Sequence, residues 1–279
     1  MLKIAVLGDI HGNTTALEAV LADARAQAVN EYWILGDLLL PGHGRMELFN
    51  LLNEVNPTIK VRGNWDDCLL EVLNGDVGIE DCEEIYLNRL VQYAMEELTT
   101  ESVTSIRETP MHVMSDREGI SFSISHQLPE KNYGWELGPT ASQETIDAFF
   151  GNYPCDVAIY GHTHIPVLRY SSKGQLLFNP GSVGNPFFPW EKLRHDLRAQ
   201  YAILTVDEHG VSIDFRKVTY DVSLEVKCAK EKKLPFVDLY QSQVETGVNR
   251  VHDREWITTV IEENHYLDDV KGFKDNLLT

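Results

Sequence analysis

The amino-acid sequence predicts an α/β protein in which two β-sheets pack together. Within residues 1–62, short apolar runs alternate with amphipathic segments of helical period, which is the pattern of βαβ units around a parallel sheet. The second half of the chain contains further strand-like runs, and the close spacing of the last four favours antiparallel hairpins. These hairpins predict a second sheet packed on the first. Because no internal repeat or low-complexity linker divides the 279 residues, we expect one elaborated domain over residues 1–279.

The first sheet is predicted from the order of elements at the start of the chain. Residues 2–7 form a nearly continuous apolar run that ends at Gly8, as expected of a buried strand. Thr15 and Glu18 then have the spacing of a capping box at the start of a helix. The same alternation continues with a strand at residues 32–35, a helix at 46–55 and a strand at 58–62.

The rest of the chain divides into a helical insertion, a run of strands and a helical tail. Residues 67–110 are acidic and favour helix, with no clear strand, so we expect a helical cap that lies over the sheet. The tail at residues 219–279 is charged and helical in character, which predicts a C-terminal extension. Between them, strands are predicted at residues 120–125, 156–160, 167–170, 176–178, 201–206 and 211–218.

Composition limits the classes of function. A formal net charge of −19 argues against long nucleic acid as a partner, because each phosphate contact requires local Lys or Arg. The four Cys residues lack CxxC spacing, so reduced thiols are expected. The first apolar run is too short for a signal peptide, and no later stretch approaches the length of a membrane span. We therefore expect a soluble cytoplasmic protein without a membrane partner, and the oligomeric state is left open.

Polar side chains follow the predicted strands at the points where the strands end. Because loops beyond the carboxyl ends of parallel strands converge on one crevice, we expect these side chains to meet. Carboxylate, amide and imidazole donors without a thiolate suit Mn, Fe, Zn or a similar ion, and their number suits two ions that share a carboxylate. The candidate ligands are Asp9, His11, Asp37, Asn64, His126, His162 and His164.

Each candidate ligand taken alone has a simpler interpretation. An Asp or Asn before a helix is usually an N-cap, and a single buried His is more often structural than a ligand. Capping does not explain the joint occurrence of such residues at successive strand ends, and the two histidines of GHTH at 161–164 have no obvious packing purpose. The combined pattern therefore favours a metal site.

In their order along the chain, these motifs resemble those of the calcineurin-like metallophosphoesterases. The resemblance covers about residues 1–218 and is weak over the helical insertion and the tail. It implies the two-sheet sandwich flanked by helices that this family has. The matching stretches are GDIHG at 8–12, GDLLLPG at 36–42, GNWD at 63–66, His126 and GHTH at 161–164, with NPGSVG at 179–184 and RAQYAIL at 198–204 resembling the bacterial single-domain branch.

The resemblance implies a phosphohydrolase in which a metal-bridging hydroxide attacks phosphorus. The ions are expected to be Mn, Fe or both, with Zn or Mg as alternatives. An amide ligand adds no charge, so the ions would keep enough positive charge to attract phosphate. The resemblance places Asp9, His11 and His164 on one ion and Asn64, His126 and His162 on the other, with Asp37 bridging.

Three further residues are candidates outside the ligand set. Asn13, at a helix start, would either hold a phosphate oxygen or cap the helix. Asp66 would take part in catalysis by orienting a metal-bound water or a ligand histidine. His43 would bind substrate and donate a proton to the leaving group, or else be an ordinary loop histidine. Phe187, Phe188 and Trp190 would form a hydrophobic lid or core rather than a surface on which a nucleobase stacks.

Two departures from the family pattern bear on the substrate. Gln127 follows His126 where glycine is usual, which indicates a different loop path or an extra substrate contact. Trp65 occupies the place of a histidine that serves as general acid in some members. Without that acid a good leaving group is favoured, so small nucleotides such as diadenosine polyphosphates are the first expectation. The alternatives are a serine/threonine phosphoprotein phosphatase and a non-catalytic metal-bound scaffold.

Overall fold

The computed structural model describes residues 1–277. Its elements, in chain order, are β1 (Leu2–Leu7), α1 (Thr14–Ala26), β2 (Glu31–Ile34), α2 (Met46–Val55), β3 (Ile59–Lys60), α3 (Asn64–Asn74), α4 (Cys82–Met95), α5 (Thr100–Glu108), β4 (His112–Arg117), β5 (Ile120–Ser125), α6 (Gln143–Asn152), β6 (Val157–Ile159), β7 (Val167–Tyr170), β8 (Leu176–Asn179), a 3₁₀ turn (Glu191–Leu193), β9 (Ala199–Asp207), β10 (Gly210–Val218), α7 (Val222–Glu231), α8 (Val237–Thr246), α9 (Arg254–Asn264) and α10 (Tyr266–Leu277).

The strands form two five-stranded mixed sheets. The first has the order β10-β9-β1-β2-β3, in which β1, β2 and β3 run parallel and β9 is antiparallel to both neighbours. The second has the order β4-β5-β6-β8-β7, in which β5, β6 and β8 run parallel. The carboxyl ends of each parallel set therefore lie along one edge of its sheet, and the two-sheet fold predicted from the sequence is confirmed.

The hairpin β9–β10 corrects one detail of the predicted topology. It is antiparallel as expected, but it joins the first sheet beside β1, where Ile4 pairs with Leu204. The reason is that β9 is buried on both faces. Tyr201 and Ile203 face the helices, while Ala202 and Leu204 face the second sheet. A strand with two apolar faces is stable in the middle of a sheet.

Strand β4 and helix α6 were not predicted from the sequence. The sequence of β4, HVMSDR, is mostly polar and half exposed, because this strand is the edge of the second sheet and pairs only with β5. Its apolar signal is accordingly weak. Helix α6 covers the outer face of the second sheet, where its buried Ile146, Phe149 and Phe150 pack on Ala158 and Leu177.

Three apolar clusters hold four layers together. One lies between the sheets, where Ile4 and Leu204 pack near Phe122 and Phe178. A second lies between the first sheet and the large helical layer, and the third lies under α6. Apolar area removed from water on both faces of both sheets is the main stabilising contribution. The two sheets are thereby fixed against each other, with the ends of their parallel strands side by side.

The large helical layer combines the two helical segments of the chain. Helices α3, α4 and α5 come from the region predicted as an insertion, and α4 packs against α9 and α10 of the C-terminal region. The function of residues 67–110 as a cap stays a prediction. Among residues 1–277, no helix has both the length and the apolar character required to cross a bilayer.

Candidate metal centre

The predicted ligands all lie in loops at the carboxyl ends of parallel strands. Asp9 and His11 follow β1, Asp37 follows β2, and Asn64 begins α3 after the short strand β3. In the second sheet, His126 follows β5, and the GHTH loop at residues 161–164 follows β6. Most of these side chains are buried, and those of Asn64, His162 and His164 are partly exposed.

The backbone of this region is held in an unusual conformation. Five predicted ligands have left-handed backbone, which a non-glycine residue adopts rarely and at a cost: Asp9 (φ 56°), His11 (51°), Asp37 (52°), His162 (63°) and His164 (58°). Gly63 is required for a different reason, since a Cβ at this position would lie 2.1 Å from Oδ1 of Asp37. Such concentrated strain marks a functional site, because the surrounding structure must maintain it.

The first group of donors is a compact cluster of two carboxylates and two imidazoles. Ligand atoms of Asp9, His11, Asp37 and His164 all lie within 4.8 Å of one another. Nε2 of His164 is 3.2 Å from Oδ1 of Asp9 and 3.1 Å from Nε2 of His11. The opposite nitrogens, Nδ1 of His11 and of His164, contact the carbonyls of Leu40 (2.6 Å) and Asn185 (2.7 Å). Backbone contacts of this kind orient Nε2 of each ring toward a cation.

The second group of donors shares Asp37 with the first. Oδ1 of Asn64 is 3.1 Å from Nε2 of His126 and 2.9 Å from Nδ1 of His162. Oδ2 of Asp37 lies 3.4 Å from Nε2 of His126 and 3.6 Å from Nε2 of His11, between the two groups. The structure thus brings all seven predicted ligands together and offers a candidate metal site. A second ion, bridged by Asp37, stays a prediction.

Electrostatic attraction within the cluster decides which groups carry charge. For Asp37, burial is outweighed by the charge and hydrogen bond of His126, which hold the pKa of the carboxyl below its ordinary value. For His126, burial is outweighed in turn by Asp37, which raises the pKa of the ring to about 10. Burial, followed by the charge of His126, lowers the pKa of His162 to about 4, so this ring is a neutral donor. A cation at Asp37 would displace the proton of His126, which couples metal binding to proton release.

Asp66 lies behind the metal cluster and supports its backbone. Its carboxylate accepts hydrogen bonds from the N–H groups of Asp37 (3.0 Å), Gly63 (2.9 Å) and Leu38 (3.3 Å). Both carboxylate oxygens are therefore occupied, and Asp66 fixes the loop that presents Asp37. Next to it, the N–H of Trp65 donates to Oδ1 of Asp37 at 2.9 Å. The start of α3 thus orients the shared carboxylate.

Asn13 is fully buried and caps α1. Its Oδ1 accepts from the N–H of Ala16 at 2.9 Å, and its Nδ2 donates to the carbonyl of Gly184 and to the hydroxyl of Tyr220, both at 3.2 Å. These contacts satisfy the side chain. They support the capping interpretation and provide no group for a phosphate oxygen.

His43 is buried away from the donor groups. Its Nε2 lies 3.0 Å from Oε1 of Glu225 and 3.3 Å from the hydroxyl of Thr14, and Glu225 also accepts from the N–H and hydroxyl of Thr15. His43 does not line the cavity in front of the metal cluster. Its placement therefore supports a structural link between α1 and α7 and gives no support to proton donation.

Residues of the NPGSVG segment stabilise the ligand loops. Asn179 is buried, and its Nδ2 donates to the carbonyl of Gly161 and to the hydroxyl of Thr163 within the GHTH loop. The hydroxyl of Ser182 donates to the carbonyl of Asp9 at 2.7 Å. The sequence identifies this segment only by its resemblance to the family, since its contacts arise across the two sheets.

A cavity of about 420 Å³ opens in front of the donors. Its wall includes a face of the metal cluster, the start of α3, and loops that no motif identifies. A larger groove of about 610 Å³, between β3, α5 and β4, contains none of the predicted ligands. The residues of the smaller cavity are Asp37, Asn64, Trp65, Cys68, Trp135, His162, Thr163, His164, Asn185, Phe187, Asn249, Val251 and His252.

Several of these wall residues were missed in the sequence. Trp135 lies in the long loop after β5, and Asn249, Val251 and His252 lie in the loop between α8 and α9. Neither loop carries a motif or a periodic pattern.

Glu225 was also missed, although it does not line the cavity. The sequence could have indicated it, because Glu225 stands on the apolar face of α7 beside the buried Val226 and Ala229, where an unpaired charge is costly.

The layered sandwich and its buried cluster of carboxylates and imidazoles define a metallohydrolase. Residues 2–209 match the sequence profile of the calcineurin-like phosphoesterase superfamily domain. The chain belongs to this family, and the resemblance seen in the motifs is confirmed. It is a hydrolase of the metallophosphoesterase class.

Three relatives are similar to this chain in sequence, and one solved structure is similar to it in fold. An uncharacterized protein of Methanocaldococcus jannaschii is 28% identical over 253 residues, which cover 83% of this chain and 93% of that protein. Phosphodiesterase YfcE of Escherichia coli is 26% identical over 67% of this chain and 82% of its own length. A symmetrical bis(5'-nucleosyl)-tetraphosphatase of Sodalis glossinidius is 38% identical over 25% of this chain and 26% of its own length. The crystal structure of a metallophosphoesterase from Sphaerobacter thermophilus has the same fold, with a TM-score of 0.68, 24% identity, and coverage of 88% of this chain and 100% of that one.

Proposed function

We propose that this phosphoesterase uses two metal ions to hydrolyse small nucleotides at a phosphodiester or phosphoanhydride bond. The observation that carries the proposal is the position of Asp37, whose Oδ2 lies 3.6 Å from Nε2 of His11 and 3.4 Å from Nε2 of His126. One carboxylate therefore belongs to two donor groups. Together with Asn64 and His162, Asp37 also lines the cavity.

The residues present fit a pair of hard or intermediate cations. Oxygen and imidazole donors without thiolate suit Mn or Fe, with Zn and Mg as alternatives. When bound, such ions would lower the pKa of a coordinated water and withdraw electron density from the phosphoryl oxygens. The proposed arrangement puts Asp9, His11 and His164 on one ion and Asn64, His126 and His162 on the other, with Asp37 shared.

The chain's own groups keep this donor set in place before a ligand arrives. The N–H of His162 contacts both carboxylate oxygens of Asp9 at 3.2 Å, which links the first sheet to the second. Trp65 and Asp66 fix the carboxylate and the backbone of Asp37, respectively. Donors that are already in place need little rearrangement when a ligand binds. This is typical of a catalytic site and not of a flexible binding surface.

The cavity favours a small substrate with an aromatic group. Its volume of about 420 Å³ is in the range of small-molecule sites. Trp65, Trp135 and Phe187 line it beside the donors and offer faces on which a nucleobase can stack. A net charge of −19 opposes binding of long nucleic acid. Diadenosine polyphosphates, with two bases and anhydride bonds, combine these features, and the names of two relatives refer to diester and nucleotide cleavage.

A substrate panel tests the proposal. The protein is loaded with Mn, Fe, Zn or Mg in separate samples and assayed on phosphomonoesters, phosphodiesters, diadenosine polyphosphates and a phosphopeptide. We expect metal-dependent cleavage of nucleotide diesters or anhydrides, loss of that activity in Asp37→Ala, and full activity in the exposed control Asp76→Ala. Cleavage of the phosphopeptide alone would instead indicate a phosphoprotein phosphatase. A metal-loaded protein that cleaves no compound would be a scaffold.

A further inference from the structure

The C-terminal helices contribute a wall of the candidate active site. Asn249, Val251 and His252, in the loop between α8 and α9, line the same cavity as Asp37 and His162. This loop lies outside residues 2–209, the part that matches the family profile. The C-terminal extension therefore adds side chains to the cavity wall that residues 2–209 do not supply.

His252 is the cavity residue best suited to exchange a proton with a substrate. Two other histidines on the wall, His162 and His164, belong to the donor cluster. Burial, together with the charge of Glu71, raises the pKa of Cys68 to about 12, so its thiol keeps its proton. The indole N–H of Trp65 is a much weaker acid than a protonated imidazole. An imidazole that belongs to no ligand set is the common proton donor near neutral pH.

The surroundings of His252 leave one ring nitrogen open. The side chain is 87% exposed, and its Nδ1 lies 3.7 Å from Oε1 of Glu83 on α4. Arg254 contacts the same carboxylate oxygen at 3.4 Å. Among the described residues, no hydrogen bond involves Nε2 of His252. The carboxylate of Glu83 therefore lies on the Nδ1 side of the ring, while Nε2 is accessible to a ligand in the cavity.

We propose that His252 donates a proton to the leaving group during phosphoester hydrolysis. Water adds to phosphorus and loses one proton to solvent, while the bond between phosphorus and the leaving oxygen breaks. The electron pair of that bond stays on the departing oxygen. Nε2 of the protonated ring gives its proton to this oxygen, so an alcohol leaves, and the neutral ring regains a proton from solvent. One water is consumed overall.

This inference rests on the proposed function and extends its substrate range. With Trp65 at the start of α3, the common part of the site lacks an acid there, which favours leaving groups that depart without protonation. Proton donation by His252 removes that restriction. Nucleotide diesters that release an alcohol then become substrates, in addition to anhydrides that release a phosphate.

The test varies the leaving group of the substrate and keeps its nucleotidyl group constant. Wild type and His252→Gln are assayed on a series of aryl esters of thymidine 5'-phosphate, from 4-nitrophenyl to unsubstituted phenyl. We expect His252→Gln to cleave the phenyl ester about 100-fold more slowly and the 4-nitrophenyl ester at nearly the wild-type rate. The matched control is His209→Gln, since His209 is likewise exposed (84%) and lies 3.6 Å from a glutamate, but on the β9–β10 turn. It should match wild type on every ester.

Other outcomes separate the two proposals. If wild type cleaves the series and His252→Gln shows the same dependence on the leaving group, His252 is not the proton donor. An equal loss of rate on all esters would also overturn the inference, because it indicates a role in binding. If wild type cleaves none of the esters and none of the substrate panel, the proposed function fails first, and the inference fails with it. Metal content and thermal unfolding of both variants should equal those of wild type.

Discussion

Asp37 is the residue on which the donor cluster depends most. Its backbone is left-handed, its N–H is held by Asp66, and its two carboxylate oxygens are engaged separately, Oδ1 by Trp65 and Oδ2 by the histidines. Few side chains could meet these conditions at once, because the carboxylate must reach two donor groups from one position. The proposed pair of ions therefore depends on this one side chain.

Replacement of Asp37 by Ala tests the shared carboxylate. We expect both ions to be lost together, because each donor group loses its link to the other and three neutral donors remain in the second group. Elemental analysis of the purified variant against wild type measures this directly. The control Asp76→Ala should retain the wild-type metal content. A variant that kept two ions per chain would contradict the bridging assignment.

Asp66 offers a second test at the same scale. In Asp66→Asn, one carboxylate oxygen is replaced by an NH₂ group that faces backbone N–H donors, although the shape is unchanged. Buried donors without a partner cost about 1–3 kcal/mol. Burial and the charge of Asp37 raise the pKa of Asp66 to about 6, so removal of its charge offsets part of this cost, and we expect a loss below this range in the free energy of unfolding. Urea titration measures it, with Asp76→Asn as the exposed control. Equal stability of the two variants would remove Asp66 from its supporting role.

At the scale of elements, α7 joins the C-terminal helices to the metal-binding loops. Glu225 is fully buried and accepts hydrogen bonds from the N–H and the hydroxyl of Thr15 in the first turn of α1 and from the hydroxyl of Tyr240 in α8, while His43 lies 3.0 Å away. Because α1 follows directly after Asp9 and His11, this carboxylate fixes the helix that those ligands precede. A charge near a helix N-terminus also complements the helix dipole.

The pKa of Glu225 gives this link a defined pH dependence. Burial opposes ionisation, but the hydrogen bond and charge of His43 prevail, and the pKa lies below the ordinary value of 4.5. A lowered carboxyl pKa stabilises the fold above 4.5, and this contribution disappears as the pH falls through the folded-state pKa. Glu225→Gln should therefore be less stable by about 1–3 kcal/mol at neutral pH.

The difference between wild type and Glu225→Gln should shrink as the pH falls below 4.5. Urea titrations at several pH values measure both free energies. Glu231→Gln, on the same helix but exposed, is the control and should follow wild type throughout. A difference that stayed constant with pH would show that the charge of Glu225 does not stabilise the fold.

At the scale of the whole molecule, local patterns predicted much of the architecture and the donor cluster. The seven predicted ligands follow the ends of five strands, and five of them adjoin a glycine, so the strand pattern and these glycines were enough to place most of them. The position of β9 depends on which surfaces its two apolar faces can cover, which no local pattern contains. The position of His252 could not be predicted from the sequence either. The loop between α8 and α9 reaches the cavity only because α9 and α10 pack on α4.

Metal binding should stabilise the whole fold, because the donors come from both sheets. Asp9, His11, Asp37 and Asn64 belong to loops of the first sheet, and His126, His162 and His164 to loops of the second. Each ion of the proposed pair would therefore link the two sheets in the folded state only. One ion contributes about 2.7 kcal/mol when the free metal is about 100 times its Kd. We expect chelation to lower the Tm of wild type and to leave that of Asp37→Ala nearly unchanged, as differential scanning calorimetry would measure. Complete removal of metal from wild type without a shift in Tm would show that the ions do not connect the two sheets.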